Sequence, residues 1–194
     1  MTRMVILQQL KLLGVQGDGV ASGAEAVQAF VLAAEEGDPY RVLLIDCDSQ
    51  ASVTTLFGYV PDLDLTEAQT LYPFLREGER DTLEYAIRKT HFDGLDLIPA
   101  NLHLFQSEYE IAARMARGEG VLLDRLAQGI ASVSDLYDVV VLDPPPALGA
   151  ISLSVLRAAN ALVVPVPPTV MDFSSTAAFL AMLDETIENL KEHG

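Results

Sequence analysis

The stretch RVLLIDCDSQA, residues 41–51, decides the fold of this chain, and a second stretch, YDVVVLDPPPALG, follows at residues 137–149. Each stretch is an apolar run that ends in acid. A run that is apolar throughout is typical of a parallel strand buried on both faces, and its end brings a carboxylate to the edge of the sheet. We therefore predict that residues 41–46 and 137–143 form neighbouring central parallel strands.

The remaining pattern alternates strands with helices. Further apolar runs with β-branched residues occur at residues 95–99 and 161–166. Such alternation indicates parallel βαβ units with helices on both faces of one sheet. The predicted fold class is α/β, with a doubly wound, mainly parallel sheet of the P-loop or Rossmann-like kind. Helical periodicity predicts helices at residues 102–115, 120–130, 151–159 and 173–190, and residues 59–65 are predicted to form a loop.

The N-terminal third has a different pattern. Residues 2–13 and 22–36 have the apolar spacing of helices, and Ser22 is a suitable N-cap for the second. The segment GVQGDGVA, residues 14–21, separates them and could form only a short strand weakened by glycine. We predict a single domain over residues 1–194, in which residues 1–40 are divergent and residues 41–194 carry the sheet.

The composition limits the classes of partner. No apolar run approaches the ~18 residues of a membrane span, and the N-terminus lacks the pattern of a signal peptide. The single cysteine, Cys47, can form no internal disulfide, which agrees with a cytoplasmic protein. The twelve Lys and Arg residues are scattered, and the net charge of −16 opposes contact with nucleic-acid phosphate. We expect no membrane association and weak or no DNA binding.

From residue 41 to about residue 183 the chain resembles the ParA family of partition ATPases. The similar stretches are RVLLIDCDSQASVTTLFGY, TLYPFL, DGLDLIPANLHLFQSEYEIAAR, YDVVVLDPPPALGAISLSVLRAANALVVPVPP and MDFSST. They occur in the order and at the approximate spacing of the family. The resemblance implies a P-loop fold, a homodimer and a partner similar to ParB.

The resemblance also implies roles for individual residues. Asp48 would orient the attacking water, and Asp46 would lie near the shell of the magnesium ion. Asp143 would be the Walker B acid that holds a magnesium-bound water. Pro165 and Pro168 would line the adenine site. The alternative for each acid is a carboxylate that only caps the helix after its strand.

The phosphate loop is where the chain departs from the family. That loop reads K-G-G-x-G-K-T-T, and the family spacing places GVASGAEA, residues 19–26, at this position. Only Gly23 matches. Gly19 and Ala24 replace the two lysines, and Glu25 replaces the magnesium-binding threonine. Because a carboxylate repels a triphosphate, the sequence predicts impaired or absent ATP binding and hydrolysis, with Mg-ATP as cofactor only if the family site is kept.

Residues 2–46 have a second resemblance, to the front of a response-regulator receiver domain, which would make Asp46 a phosphoacceptor. Receiver chemistry also needs an acid pair after the first strand, a hydroxyl after the fourth and a lysine after the fifth. The chain begins after the place of the acid pair, prolines follow Asp143, and no lysine follows directly on Val164. Because the two resemblances meet at residues 41–48, a chimera is one explanation of the N-terminal segment.

Three functions stay open at this point. The first is a partition ATPase with an unconventional nucleotide site, predicted to be inactive. The second is a non-enzymatic interaction module, or a chimeric scaffold on a flavodoxin-like or P-loop-like sheet. The third is a receiver-like phosphoacceptor at Asp46. Binding of ATP with Mg²⁺ separates the first from the second, and labelling by acetyl phosphate tests the third.

Overall fold

The computed structural model describes residues 40–76, 79–118, 120–163 and 170–192. The unit described below is Val42–Gly194. The predicted helices at residues 2–13 and 22–36 lie outside the described residues. The single domain and its divergent first 40 residues therefore stay predictions.

The described strands form one mainly parallel sheet. They are β1 (Val42–Asp46), β2 (Arg88–Lys89), β3 (Leu95–Ile98) and β4 (Val139–Asp143), in the order β2-β3-β1-β4. Strand β1 is parallel to both β3 and β4, whereas β2 is antiparallel to β3. The mainly parallel α/β sheet is confirmed, and so is the placement of β1 beside β4.

Strand β4 differs from the prediction in its burial. Leu43 and Ile45 of β1 are fully buried, but Val139 and Val141 of β4 are 43% and 44% exposed. Among the described strands β4 lies at one edge of the sheet, with β2 at the other, so in this part of the chain β4 is not a central strand. An apolar run does not reveal whether a second layer covers its outer face. Of the strand predicted at residues 161–166, residues 161–163 have no regular structure and the rest lies outside the described residues.

Most predicted helices are present, with small shifts of their ends. The predicted loop at residues 59–65 instead contains a helical turn, because Pro61 suits the first helical position and the Asp64 carboxylate accepts a hydrogen bond from the Val60 amide at 2.6 Å. The first half of the helix predicted at residues 120–130 is a 3₁₀-helix. The helices are α1 (Ser52–Leu56), α2 (Pro61–Asp64), α3 (Tyr72–Leu75), α4 (Leu104–Met115), α5 (Arg125–Ala131), α6 (Ala150–Ala158) and α7 (Val170–Glu192), with 3₁₀-helices at Glu67–Gln69, Glu84–Ala86, Gly120–Asp124 and Ser134–Leu136.

The core lies between the sheet and the helices that follow its strands. Helix α4 turns Leu104 and Ile111 inward, seven positions apart, and α6 buries Ile151 and Val155, four positions apart. Both pairs have the spacing of one helix face. Since α4 follows β3 and α6 follows β4, both helices begin at the carboxyl edge of the sheet, the usual place of a ligand site in such folds. None of the helices in the described part of the chain has the length and apolar character needed to cross a membrane.

Candidate functional site

Two carboxylates meet where β1 and β4 end. Asp46 and Asp143 are register partners across the two parallel strands. The ladder continues one residue further, because the Cys47 amide donates to the Asp143 carbonyl at 3.0 Å. The structure therefore brings these two predicted acids together at the carboxyl edge of the sheet.

Asp46 points inward and is fully buried. Its Oδ1 accepts the Asp48 amide at 3.1 Å, and its Oδ2 accepts the Thr54 amide at 2.8 Å and the Thr54 hydroxyl at 2.7 Å. Burial raises the pKa of Asp46, the Thr54 and Asp48 hydrogen bonds lower it, and the Asp143 charge raises it. Both oxygens of Asp46 are thus occupied by donors of the protein itself.

The Asp46 carboxylate also caps α1. Thr54 is the third residue of that helix, and its amide is one of the groups that no helical carbonyl can accept from. The residue at the N-cap position, Ala51, makes no side-chain cap, so Asp46 takes over this task from the preceding strand. The capping alternative weighed for each acid therefore describes what Asp46 does in this structure.

Thr54 is a site residue that the sequence analysis missed. Its buried hydroxyl donates to Asp46 and accepts the Ala100 amide at 3.0 Å. One side chain thereby joins the end of β1, the first turn of α1 and the segment after β3. The only signal in the sequence is a threonine eight positions after a strand-end aspartate. This spacing does not predict a hydrogen bond between the two side chains unless the conformation of the intervening turn is known.

The turn between Asp46 and α1 holds Asp48. Its Oδ1 accepts the Gln50 amide at 3.0 Å, and its carbonyl accepts the Ala51 amide at 2.9 Å. Ala51 is buried with φ 53° and ψ 41°, a left-handed conformation that costs a non-glycine residue about 1–2 kcal/mol. Tertiary contacts must offset this cost, so the Asp48 turn is held by the packing around it.

Asp143 completes an edge of like charge. Burial raises the pKa of Asp143, and the Asp48 carboxylate raises it further. No lysine or arginine in the described part of the chain forms an ion pair with Asp46, Asp48 or Asp143. Among the described residues, the carboxylates at this edge therefore have no lysine or arginine as an ion-pair partner.

A cleft of about 180 Å³ adjoins this edge. It lies between the Asp48 turn, α4 and the start of α6, and Cys47 forms part of its wall. The Cys47 thiol is fully buried, and its pKa is raised chiefly by burial and further by Asp46 and Asp143, so it is not a reactive thiolate. The lining residues are Cys47, Ser49, Phe105, Glu108, Pro145, Ala147, Gly149 and Ile151.

Glu108 closes one end of the cleft by capping α6. Its carboxylate accepts the Ala150 amide through Oε1 and the Ile151 amide through Oε2 at 3.0 Å. The approach requires a glycine, because a Cβ at Gly149 would overlap the carboxylate of Glu108. The positive end of the α6 dipole is thus already neutralised by an acid of the same chain.

The remaining predicted site residues lie outside the part of the chain that the structure describes. Gly23, Pro165 and Pro168 lie outside the described residues, so their assignment to the nucleotide site stays a prediction. The same is true of the catalytic role of Asp48 and the magnesium role of Asp143. For these two acids the structure shows the location and not the chemistry.

Comparison with known proteins decides the family. A model of the AAA domain family matches residues 14–193. The chain belongs to this family, in its ParA-type partition branch. The AAA match starts within the segment that also resembles a receiver domain, and a chimeric origin of that segment stays a prediction.

Two relatives of this ParA-type chain show how much of a related protein it covers. It is 38% identical over 191 residues to "Putative replication protein A" of Rhizobium rhizogenes, covering 96% of this chain and 47% of that protein. It is also 38% identical over 159 residues to protein SopA of Escherichia coli K12, covering 79% of this chain and 40% of SopA. The chain therefore spans less than half the length of these two relatives.

Solved structures agree with the ParA-type fold. The cobyrinic acid a,c-diamide synthase of Mycobacterium smegmatis, solved with an ATP analogue and magnesium, is 28% identical with a TM-score of 0.66, covering 84% of this chain and 61% of that one. A solved "Partition Protein" is 28% identical with a TM-score of 0.64, covering 87% and 50%. These matches confirm the predicted fold class.

Proposed function

We propose that this chain is a ParA-type partition ATPase relative in which nucleotide binding and hydrolysis are impaired or absent. The observation that carries the proposal is the cluster of Asp46, Asp48 and Asp143 at the sheet edge, with which no lysine or arginine of the described residues forms an ion pair. The pKa values of Asp46 and Asp143 are raised, whereas a neighbouring lysine or cation would lower them. A triphosphate would add further negative charge to this edge.

The sequence has no lysine at the two positions where family spacing places the lysines of the phosphate loop. Lysine occurs only at positions 11, 89 and 191. Lys89 is engaged at the far side of the sheet, with its Nζ 2.7 Å from the Asp96 carboxylate. Lys11 lies 13 positions before Ala24, where family spacing places the phosphate-loop lysine. Phosphoryl transfer normally requires lysine, magnesium and backbone donors together to stabilise its transition state.

The described residues also do not fit a magnesium nucleotide well. Both Asp46 oxygens accept hydrogen bonds from Thr54 and Asp48, so a metal-bound water would have to displace a protein donor. Within the described ranges, no three His, Cys, Asp or Glu side chains converge on a common metal position. Asp143 is the acid that would hold the metal through water if a nucleotide bound.

Titration with a fluorescent ATP analogue in the presence of Mg²⁺ tests the proposal. We expect no saturable binding below roughly 1 mM, an affinity of about −4 kcal/mol. ATP turnover is measured in parallel. The Asp48→Ala variant is the control for turnover, since it removes the predicted water-orienting acid. Turnover comparable with that of an intact family member, abolished in Asp48→Ala, would overturn the proposal.

One observation favours the second candidate function, a non-enzymatic interaction module. Three large apolar side chains of the α4 region, Leu102, Phe105 and Tyr109, are 59%, 49% and 64% exposed. In this candidate function the sheet is a scaffold, and the exposed apolar side chains form the surface that binds a partner. The family relationship further suggests a homodimer, a partner similar to ParB, a cytoplasmic location and, given the net charge of −16, weak DNA binding.

The burial of Asp46 disfavours the third candidate function, that of a phosphoacceptor. Asp46 is fully buried and both its oxygens accept hydrogen bonds, so neither is free to attack a phosphoryl group. Incubation with acetyl phosphate followed by mass spectrometry should leave Asp46 unmodified. A phosphoryl adduct at Asp46 that is lost in Asp46→Asn would restore this candidate.

A further inference from the structure

Arg125, the first residue of α5, contacts both α3 and the segment that leads to β2. Its Nε donates to the Phe74 carbonyl at 2.7 Å, and one terminal nitrogen donates to the Arg80 carbonyl. The guanidinium also lies over the Phe74 ring, 4.7 Å from the ring centroid. A planar guanidinium suits two carbonyls and one ring face together, whereas the ammonium of a lysine has neither the fork nor the plane. One side chain thus fixes the backbone at two points.

The same side of α5 makes two further contacts with this region. Gly129 lies one turn after Arg125, and a Cβ at Gly129 would be 2.5 Å from the Phe74 ring. Ser132, directly after α5, accepts the Leu83 amide at 3.4 Å and donates to the Gly129 carbonyl at 2.6 Å. The spacing of four and three positions places these residues on one helix face. This face of α5 therefore holds a neighbouring segment in place.

We define the strap as residues 79–87, which lead to β2. Leu83 and Ala86 are buried, and the other side chains of the strap are exposed or half-buried. The regular structure within the strap is one 3₁₀ turn at Glu84–Ala86, and none of residues 79–87 belongs to a strand. Segments with little buried apolar surface and few regular hydrogen bonds open before the rest of a protein.

Tyr85 is the second attachment of the strap. Its hydroxyl donates to the Thr70 carbonyl at 2.8 Å, and the Arg80 guanidinium lies 5.0 Å from the centroid of its ring. Burial is the main cause that raises the pKa of Tyr85 to about 12, so the hydroxyl remains a donor at neutral pH. Side-chain contacts with backbone groups, and not pairing within the sheet, therefore hold the strap.

We propose that the strap is a conformational device that opens as a local unit while the sheet stays folded, and that Arg125 is the latch that keeps it closed. The Phe74 and Arg80 carbonyls can bind water once the guanidinium leaves, so opening leaves no polar group unsatisfied. It uncovers the face of α5 at Gly129, which is buried in the closed state. The proposal does not depend on nucleotide binding, because neither Arg125 nor the strap lines the cleft.

Native-state hydrogen exchange of the full chain, measured at increasing concentrations of urea below the unfolding transition, tests the proposal. The amides of Leu83, Ala86 and Ile87 report on the strap, and the amides of β1 report on global unfolding. We expect the strap amides to exchange at least about tenfold faster than those of β1. Their exchange should depend little on urea, because a local opening exposes little surface.

Three variants separate local opening from global unfolding. Arg125→Gln should speed strap exchange about tenfold, because two hydrogen bonds from a charged donor are lost. Gly129→Ala keeps the arginine but displaces the Phe74 ring beneath it, and should also speed strap exchange. Thr54→Val is the matched control, because it weakens the end of β1 and leaves the strap contacts intact. It should speed the exchange of β1 and not that of the strap. Circular dichroism verifies that each variant is folded.

A chemical rescue identifies the group that acts as the latch. Arg125→Ala leaves space for a free guanidinium beside the Phe74 and Arg80 carbonyls. Ethylguanidinium at millimolar concentration, far below denaturing conditions, should slow strap exchange in this variant, whereas ethylammonium should not. Equal slowing by both ions would show that positive charge alone is needed and would overturn the assignment of the guanidinium as latch.

Two further results would overturn the proposal. Equal exchange rates and equal urea dependence for the strap and β1 in the original protein, with Thr54→Val speeding both alike, would show that the strap opens only when the whole domain unfolds. Unchanged strap exchange in both Arg125→Gln and Gly129→Ala would show that Arg125 does not keep the strap closed.

Discussion

Thr54 donates both its hydroxyl and its amide to one oxygen of Asp46, at 2.7 Å and 2.8 Å, with both residues fully buried. A buried carboxylate is tolerated when such donors replace its water. The same hydroxyl accepts the Ala100 amide, so the pair also fixes the segment that leads from β3 into α4. The pair is thus a structural junction at the edge where the family resemblance predicts nucleotide chemistry.

Replacing Thr54 by valine should destabilise the protein by about 2–3 kcal/mol. The change keeps the shape of the side chain, but it removes the hydroxyl donor to Asp46 and leaves the Ala100 amide without an acceptor, while the backbone amides of residues 48 and 54 still donate to Asp46. Thr54→Ser keeps the hydroxyl and should cost only about 1 kcal/mol for the lost methyl group. Urea denaturation measures both variants. Equal losses in the valine and serine variants would show that packing, and not the hydrogen bonds, accounts for the role of Thr54.

Asp143→Asn should stabilise the protein at neutral pH, raising Tm by a few degrees at most. Burial, and then the Asp48 carboxylate, raise the pKa of Asp143 above its unfolded value. Its favourable contribution is complete below the unfolded pKa and is lost as pH rises through the folded pKa. Asparagine stays neutral, so the fall in stability between acidic and neutral pH should become smaller. Thermal melts across that range measure the effect.

A matched control for Asp143→Asn is Asp135→Asn, which changes an exposed carboxylate before β4. Because this carboxylate is exposed, the substitution should leave Tm nearly unchanged. A lower Tm for Asp143→Asn at neutral pH would contradict the expectation. It would indicate that a cation compensates the Asp143 carboxylate in solution.

Glu108 and Gly149 should behave as one unit in a double-mutant cycle. Glu108→Ala removes the carboxylate that caps α6, which should cost about 1 kcal/mol. Gly149→Ala places a Cβ where that carboxylate lies and should displace it, with a similar loss. The double variant should cost no more than either single change, because the cap can be lost only once.

The control for this cycle is Glu110→Ala, an exposed acid on α4 whose ion pair with Arg76 is 3.7 Å long. Such an exposed surface pair is screened by solvent and contributes little to stability. Chemical denaturation of all four variants supplies the free energies of unfolding. Additive losses for Glu108→Ala and Gly149→Ala would refute the displacement of the cap.

Rewriting residues 19–26 as a lysine-containing glycine loop should restore little or no nucleotide binding. A phosphate loop needs a buried strand before it, and GVQGDGVA at residues 14–21 is too polar and too rich in glycine for that strand. Titration of a fluorescent ATP analogue with Mg²⁺ against the original and rewritten proteins measures the change, with circular dichroism as the control for folding. Strong binding by the rewritten protein would show that the loop alone is deficient.

The sequence predicted well those elements that local pattern determines. The three long strands β1, β3 and β4 begin and end within two residues of their predicted bounds. Strands β1 and β4 are apolar up to the aspartate that ends them, and β3 is apolar apart from Asp96 and is followed by Pro99. Strand β2 was missed for the opposite reason. It consists of Arg88 and Lys89 alone and exists because these residues pair with Leu97 and Asp96 of β3, where Lys89 also forms its ion pair.

The sequence by itself determined a parallel α/β sheet, the acids Asp46 and Asp143 at its carboxyl edge, and the family of the chain. Strand-forming runs and the residues that end them are local properties, so they can be read without knowing the fold. Only the tertiary structure decided that Asp46 turns inward to Thr54 and that Glu108 caps α6. Thr54 and Ala100 are 46 positions apart, and Glu108 and Ile151 are 43 apart. Partners at such separations are selected by the packing of whole elements, which local pattern does not encode.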